Sequence, residues 1–239
     1  MRAWLDRPPQ TNEVGRATAL YGGLSHLTRD LPVRLHEIGS SAGLNLRADQ
    51  FAYVDDAGTV FGDSSSPVRL DPAWRGRPLV GPPPRILERS GCDLHPVDPT
   101  TTEGRTLLTA YVWPDQHERL ERLRGALDVA ARVPAEVQRT SAAAFVAKLE
   151  LTRGCTTVLW HSVMWQYLSA DEQQAVGARI EELGAAADEG TPFVHLSAEP
   201  ARRSPGAPHE FLVRMRTWPG GEQRLLGHTA AHGVPTVWE

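Results

Sequence analysis

Apolar positions along this chain alternate between short continuous runs and amphipathic stretches spaced near 3.6 residues, the pattern of an α/β domain. Val33 to Ile38 reads as a first strand and a run from Ile86 ending near Asp93 as a second. Ala135 to Thr140 is a weaker third and Thr156 to Trp160 a fourth. Pro192 to Leu196 is a fifth, apolar enough for burial on both faces. Between them lie helical patterns with start signals. Pro8-Pro9-Gln10-Thr11-Asn12-Glu13 precedes inward positions Val14, Leu20, Leu24 and Leu27, and Leu44 to Gln50 continues as a helix after a glycine loop. Thr100-x-x-Glu103 and Ser169-x-x-Glu172 are capping boxes. The first opens a helix with Leu107, Leu108, Tyr111 and Val112 on one face, the second a helix burying Val176, Ile180 and Leu183. A further helix from Pro114 or Asp115 buries Leu120, Leu123 and Leu127.

Two stretches depart from this alternation. Residues 51–62 read as a hairpin turning at Asp55-Asp56-Ala57-Gly58, and residues 62–84, rich in Pro, Gly and Ser, as an irregular connection. The tail pairs Glu210 to Trp218 with Gln223 to His228 across Pro219-Gly220-Gly221, an antiparallel hairpin. The expectation is one α/β domain over residues 1–239: a doubly wound, mostly parallel, Rossmann-like sheet closed by a C-terminal antiparallel hairpin. It carries a hairpin and loop insertion at about 51–84 and a helical insertion at about 100–130. No internal repeat occurs, so solenoids and propellers drop out.

Composition narrows the function classes. The formal charge is −4 and the isoelectric point about 6.1, so there is no basic footprint for nucleic acid. Lys148 is the lone lysine among the 25 cationic residues. No apolar run approaches the ~18 residues of a membrane span, and Met1-Arg2-Ala3-Trp4-Leu5-Asp6 lacks a secretory apolar segment. A cytoplasmic protein with a small-molecule partner, not a nucleic acid or membrane, is expected. Cys92 and Cys155 form no Cys-x-x-Cys pair and His-Glu-x-x-His is absent, so no metal site is expected.

The chemistry concentrates around Glu37-Ile38-Gly39-Ser40-Ser41-Ala42-Gly43. A strand running into a glycine loop and a helix start is how doubly wound domains seat nucleotides, with backbone N–H groups offered to the ligand. Ser41 and Leu44 stand where Gly-x-Gly-x-x-Gly has its second and third glycines, which weakens a dinucleotide reading. Asp93, at the end of the second strand, can accept both ribose hydroxyls of a nucleoside. It lies about 50 residues beyond the loop rather than the usual ~20, which makes the intervening hairpin an insertion. After the fourth strand, Trp160-His161-Ser162-Val163-Met164-Trp165-Gln166-Tyr167 sets polar groups among aromatics where open sheets gather reacting groups. His161 is the candidate base, titrating near neutrality; Ser162, Trp165 and Tyr167 are candidate substrate contacts.

Glu37-x-Gly39-x-x-x-Gly43 and Gly91-Cys92-Asp93-Leu94-His95-Pro96 resemble the first and second motifs of class I S-adenosylmethionine-dependent methyltransferases. The whole pattern, with Gln10-Thr11-Asn12-Glu13-Val14-Gly15-Arg16, Val112-Trp113-Pro114-Asp115-Gln116 and Trp160 to Tyr167, resembles the uncharacterised bacterial DUF2332 proteins. Members carry a further helical region before Gln10, so the resemblance implies a shortened chain or one starting inside a longer gene. The methyltransferase resemblance implies S-adenosylmethionine held by Glu37, Gly39, Ser41, Gly43 and Asp93, with Ser141 in the place of the usual adenine-binding acid. Gln10, Asn12 and Arg16 would lie on a helix over the pocket, with Arg16 taking a carboxylate. The expected activity is methyl transfer to a small molecule. Two alternatives stay open: a non-catalytic ligand-binding protein on a degenerate scaffold, and an NAD(P)-dependent oxidoreductase.

Overall fold

The computed structural model describes residues 11–27, 31–76 and 83–239. The expected parallel strands are present: β1 Val33–Ile38, β5 Ile86–Asp93, β6 Glu136–Arg139, β7 Thr156–Ser162 and β8 Phe193–Ala201. They lie side by side in the order β6-β5-β1-β7-β8, every neighbouring pair parallel. The chain therefore builds outward from β1 to β5 and β6, then returns to the other side of β1 for β7 and β8. That reversal, between β1 and β7, is the switch point at which open α/β sheets leave a crevice at the strands' carboxyl ends.

Helices cover both faces, as expected of a doubly wound sheet. Here α1 (Ala17–Leu24), α2 (Thr102–Ala110) and α3 (His117–Ala130) pack over Val33, Leu35, Val158, Trp160 and Leu196, while α4 (Ala142–Val146) and α5 (Ala170–Ala186) pack over Ile38, Leu159 and Phe193. Leu123 and Leu127 of α3, and Val176, Ile180 and Leu183 of α5, face inward as their spacing predicts. Capping differs in detail. The cap of α2 is Thr101, whose hydroxyl accepts from Gly104, one position later than the sequence signal, because Thr100 is engaged by Asp98. Ser169 caps α5 as expected, but the Glu172 carboxylate reaches the Ala142 N–H of α4 instead of closing the box.

The antiparallel tail is present as β9 (Glu210–Trp218) and β10 (Glu222–Thr229), and β8 also pairs antiparallel with β9. The hairpin at 51–62 is present as β2 (Ala52–Asp55) and β3 (Val60–Gly62). The expected irregular connection is corrected within 69–76. There β4 (Arg69–Gly76) turns Leu70, Ala73 and Trp74 inward, and that burial outweighs the strand-breaking bias of Pro72. A short strand the pattern did not signal, β11 (Thr236–Trp238), pairs with β10 on one side and β4 on the other. One sheet of eleven strands results among the described residues. It curls about α1, all eight residues of which are buried in contact with β4, β8 and β9. The Trp238 ring lies directly over Gly22 of α1.

The segment after the glycine loop is corrected too. Leu44–Gln50 is a 3-10 helix starting from Gly43 in the left-handed region and broken by non-helical angles at Arg47. Five of its seven residues are buried, so packing rather than helix propensity sets its path. The first helical pattern is a 3-10 turn, Val14–Arg16, leading into α1, with Leu27 packed just beyond. Pro8, Pro9 and Gln10 lie outside the described residues. No helix among the described residues is long and apolar enough to cross a membrane.

Candidate functional site

A cavity of about 220 Å³ opens at the carboxyl ends of β1, β5 and β7, at the switch point between β1 and β7. The glycine loop forms one wall and the turn after β7 another. Residues 11–16 close it from above. Of the residues expected from sequence, Arg16, Glu37, Gly39, Ser41, Asp93, Ser162 and Tyr167 line it. Gly43, Ser141, His161 and Trp165 do not.

The loop is held in an unusual path. Gly39 and Gly43 have φ of 71° and 65°, where a side chain would be strained, and a Cβ on Gly39 would strike the Met164 side chain. Three non-glycine residues among those described also have positive φ: Asn12 at 34°, Ser41 at 54° and Val163 at 50°. All three line this one cavity. Each such residue costs on the order of 1–3 kcal/mol, least for the Asn and most for the β-branched Val, and such outliers gather at functional sites.

Hydrogen bonds hold this path, and they correct one expectation. Asp93 Oδ2 accepts from Ser41 N–H at 2.9 Å and Oδ1 from His95 N–H at 2.8 Å. Asn12 Oδ1 accepts from Ala42 N–H at 3.2 Å and Leu44 N–H at 3.1 Å. Gly43 N–H donates to the Ser40 carbonyl at 2.7 Å. The amides from Ser41 to Leu44 are thus spent inside the protein rather than offered to a ligand, so the loop is no pyrophosphate cradle. Asn12, which the sequence set only on a helix over the pocket, is instead the clamp of the loop. Gly43 shapes the loop from behind, where a Cβ would meet Val137.

What the cavity does present is a set of side-chain atoms. Arg16 Nε, Glu37 Oε2, Ser41 Oγ and Asn45 Oδ1 are buried without a hydrogen-bonding partner, and their four residues all line it. Buried polar atoms are rarely left this way, so four around one cavity make it the candidate site for a polar ligand. Glu37 is 3% exposed. Its Oε1 accepts from the Trp160 indole N–H at 3.1 Å. Burial pushes its carboxyl up to about 8, against the pull of Trp160, Arg16 and Arg47. Burial also lowers the Arg16 guanidinium, while Glu13, Glu199 and Glu37 support its charge. Arg16 Nη1 stands 3.5 Å from the Ser162 carbonyl, at the limit of a hydrogen bond.

The remaining expected residues fall elsewhere. Ser141 caps α4, its hydroxyl accepting from Ala144 N–H, while its neighbours Thr140 and Ala142 line the cavity. His161 points through the opposite face of the sheet, because side chains alternate along β7 and Trp160 faces Glu37. Its Nδ1 lies 2.7 Å from Glu199 Oε1 and its Nε2 2.9 Å from His195 Nε2. Burial, with His161 and Arg216 nearby, lowers His195 to about 3, so that ring is neutral. Trp165 stacks on His161 with centroids 5.2 Å apart, and both border a separate cleft of about 210 Å³ with Arg214 and Gln223. His161 therefore stands away from the cavity it was expected to serve. Glu13, which ion-pairs with Arg119 at 2.6 Å, joins the cavity wall without a sequence signal beyond its place in the opening segment.

Beside the cavity runs an open groove of about 1170 Å³ between the loop 95–98, α2 and Arg139, and His95 borders both. Among the described residues no group of three or more His, Cys, Asp or Glu side chains is arranged to hold a metal ion. The chain matches, over residues 1–238, the family described as "Uncharacterized protein conserved in bacteria (DUF2332)", and it belongs to that family. No curated protein and no solved structure matches it.

Proposed function

We propose that this DUF2332 member binds S-adenosylmethionine in the switch-point cavity and transfers the methyl group to a small molecule. The observation that carries the reading is the convergence of Arg16 Nε, Glu37 Oε2 and Ser41 Oγ, buried and without hydrogen-bonding partners, on a cavity flanked by Asp93 at the end of β5. A guanidinium and a carboxyl facing one small space suit a ligand carrying both a carboxylate and a cationic group. Arg16 would take the carboxylate and Glu37 the cation. Asp93, a carboxylate lining the cavity at the end of β5, stands where ribose hydroxyls could donate to it. Thr140, rather than Ser141, faces the space available to a base. The adjoining groove past His95 offers room beyond the 220 Å³ cavity.

When bound, S-adenosylmethionine supplies an activated methyl on a sulfonium, and the protein's share is alignment and exclusion of water. With His161 facing away and Glu37 assigned to the ligand's cationic group, the cavity's share in the transfer is binding and alignment. A non-catalytic ligand-binding protein is the second reading, favoured by the engagement of both His161 ring nitrogens outside the cavity. The dinucleotide reading loses support, because the amides from Ser41 to Leu44 have protein acceptors.

Titration calorimetry with S-adenosylmethionine, S-adenosylhomocysteine and NADH tests this. We expect micromolar binding of the first two, weakened by about tenfold or more in Arg16→Ala. Binding of NADH alone would overturn the reading. Transfer of labelled methyl to a metabolite pool separates enzyme from binding protein.

A further inference from the structure

The turn that follows β7 forms a wall of the cavity, yet what holds it comes from the other side of the sheet. Ser162, Val163 and Met164 line the cavity, and Val163 sits at φ 50°, a conformation a β-branched residue does not keep unaided. Val163 N–H donates to the Ala198 carbonyl at 3.1 Å, and one side-chain atom holds the two residues that follow. Glu199 Oε1, on β8, accepts from Met164 N–H at 3.1 Å and from Trp165 N–H at 3.3 Å, and lies 2.7 Å from His161 Nδ1. His161 in turn meets His195 Nε2 through its Nε2 and carries the Trp165 ring on its face. The Glu199 side chain is 12% exposed, and it lines the far-face cleft rather than the cavity.

We propose that Glu199 is a positioning residue for the cavity: with His161 orienting its carboxylate, it locks the Val163–Trp165 turn and thereby sets the wall against which ligand and Arg16 are arranged. The functional half rests on the reading of the cavity as the S-adenosylmethionine site; the structural half does not. Two N–H groups and an imidazole on one carboxylate oxygen, beside the Val163 N–H on the Ala198 carbonyl, explain why a strained valine is tolerated here. Removing that oxygen lets Val163 relax out of positive φ, withdrawing the Ser162 carbonyl from Arg16 and the Met164 side chain from Gly39.

The test combines amide hydrogen exchange with calorimetry on the full chain, using S-adenosylmethionine as the probe. In Glu199→Ala we expect exchange at Met164 and Trp165 to accelerate by about tenfold or more while Val158 to Trp160 of β7 stay protected. Binding should weaken by a similar factor. Glu199→Gln, which keeps an acceptor oxygen at this place, should restore both to within about threefold, a rescue that a general loss of packing would not give. Should Glu199→Ala not fold, His161→Phe removes the orienting contact and keeps a ring against Trp165, and it should raise exchange at the same two amides. Unchanged exchange at Met164 and Trp165 would overturn the proposal, as would unchanged binding once their protection is lost. If the wild-type chain binds no S-adenosylmethionine, the cofactor reading fails by itself, and exchange still decides whether Glu199 holds the wall.

Discussion

Replacing Glu37 by Gln should change how the stability of this protein depends on pH. Burial raises the Glu37 carboxyl from 4.5 to about 8, so the folded chain keeps a proton that the unfolded chain has released across this interval. Stability contributed by the protonated form is present below the unfolded value and is lost as pH rises through the folded one. Each pH unit in the window costs ~1.4 kcal/mol, and the whole interval ~5 kcal/mol. Two buried imidazoles act with the opposite sign. His36, lowered from 6.5 to about 4 chiefly by burial, and His195, lowered to about 3, favour folding as pH rises, but only up to the unfolded value of 6.5. Above 6.5 the Glu37 effect stands uncovered, and between there and about 8 it amounts to ~2 kcal/mol. Urea denaturation from pH 5 to 9 reads it directly: wild-type stability should fall relative to Glu37→Gln by about that amount between pH 6.5 and 8. Parallel curves for the two proteins would refute the argument, because they would show that Glu37 titrates normally or that the cavity is wetter than its burial implies.

Other substitutions probe the loop and its supports. Asn12→Ala strands the buried N–H groups of Ala42 and Leu44 and should cost about 2–4 kcal/mol in denaturant unfolding. Ser41→Gly removes the strain at φ 54° and should raise the melting temperature while weakening ligand binding, because the hydroxyl facing the cavity is gone. Gly91→Ala puts a Cβ 2.7 Å from the Glu37 carbonyl and against Ser40, so it should destabilise by about 2 kcal/mol or more in thermal melts. Burial raises the Cys92 thiol to about 12, so in a Cys155→Ser background it should react with a thiol reagent only on unfolding.

The parallel strands were legible because each is a short apolar run or alternation flanked by turn residues, as with Thr156 to Trp160 and Val33 to Ile38. The long amphipathic helix α5 was legible from its Ser169 cap and the helical spacing of Val176, Ile180 and Leu183. What escaped depends on partners distant in sequence. Strand β4 carries Pro72 and polar residues on one face, and only the packing of Trp74 on Tyr53 and Tyr21, with its indole N–H on the Thr18 carbonyl, makes it a strand. Strand β11 is too short for a pattern. At the site, the strand-end acids Glu37 and Asp93 were identified from position alone, whereas Asn12's grip on the loop and Glu199's on the far turn arise from contacts no local pattern encodes. The facing of His161 was readable in principle. Trp160 and His161 are adjacent in a strand, so they cannot share a face, and the apolar register of β7 gives the inner one to Trp160.

The bridging position of β11 also makes it a keystone. Among the described residues, β2, β3 and β4 join the rest of the sheet only through β11, and the same segment brings Trp238 onto α1. Without it, β4 would keep an unpaired edge and α1 would have apolar surface uncovered, features that draw chains into wrong pairings. Losing Thr236–Trp238 would therefore loosen two parts of the sheet from each other rather than trim one edge.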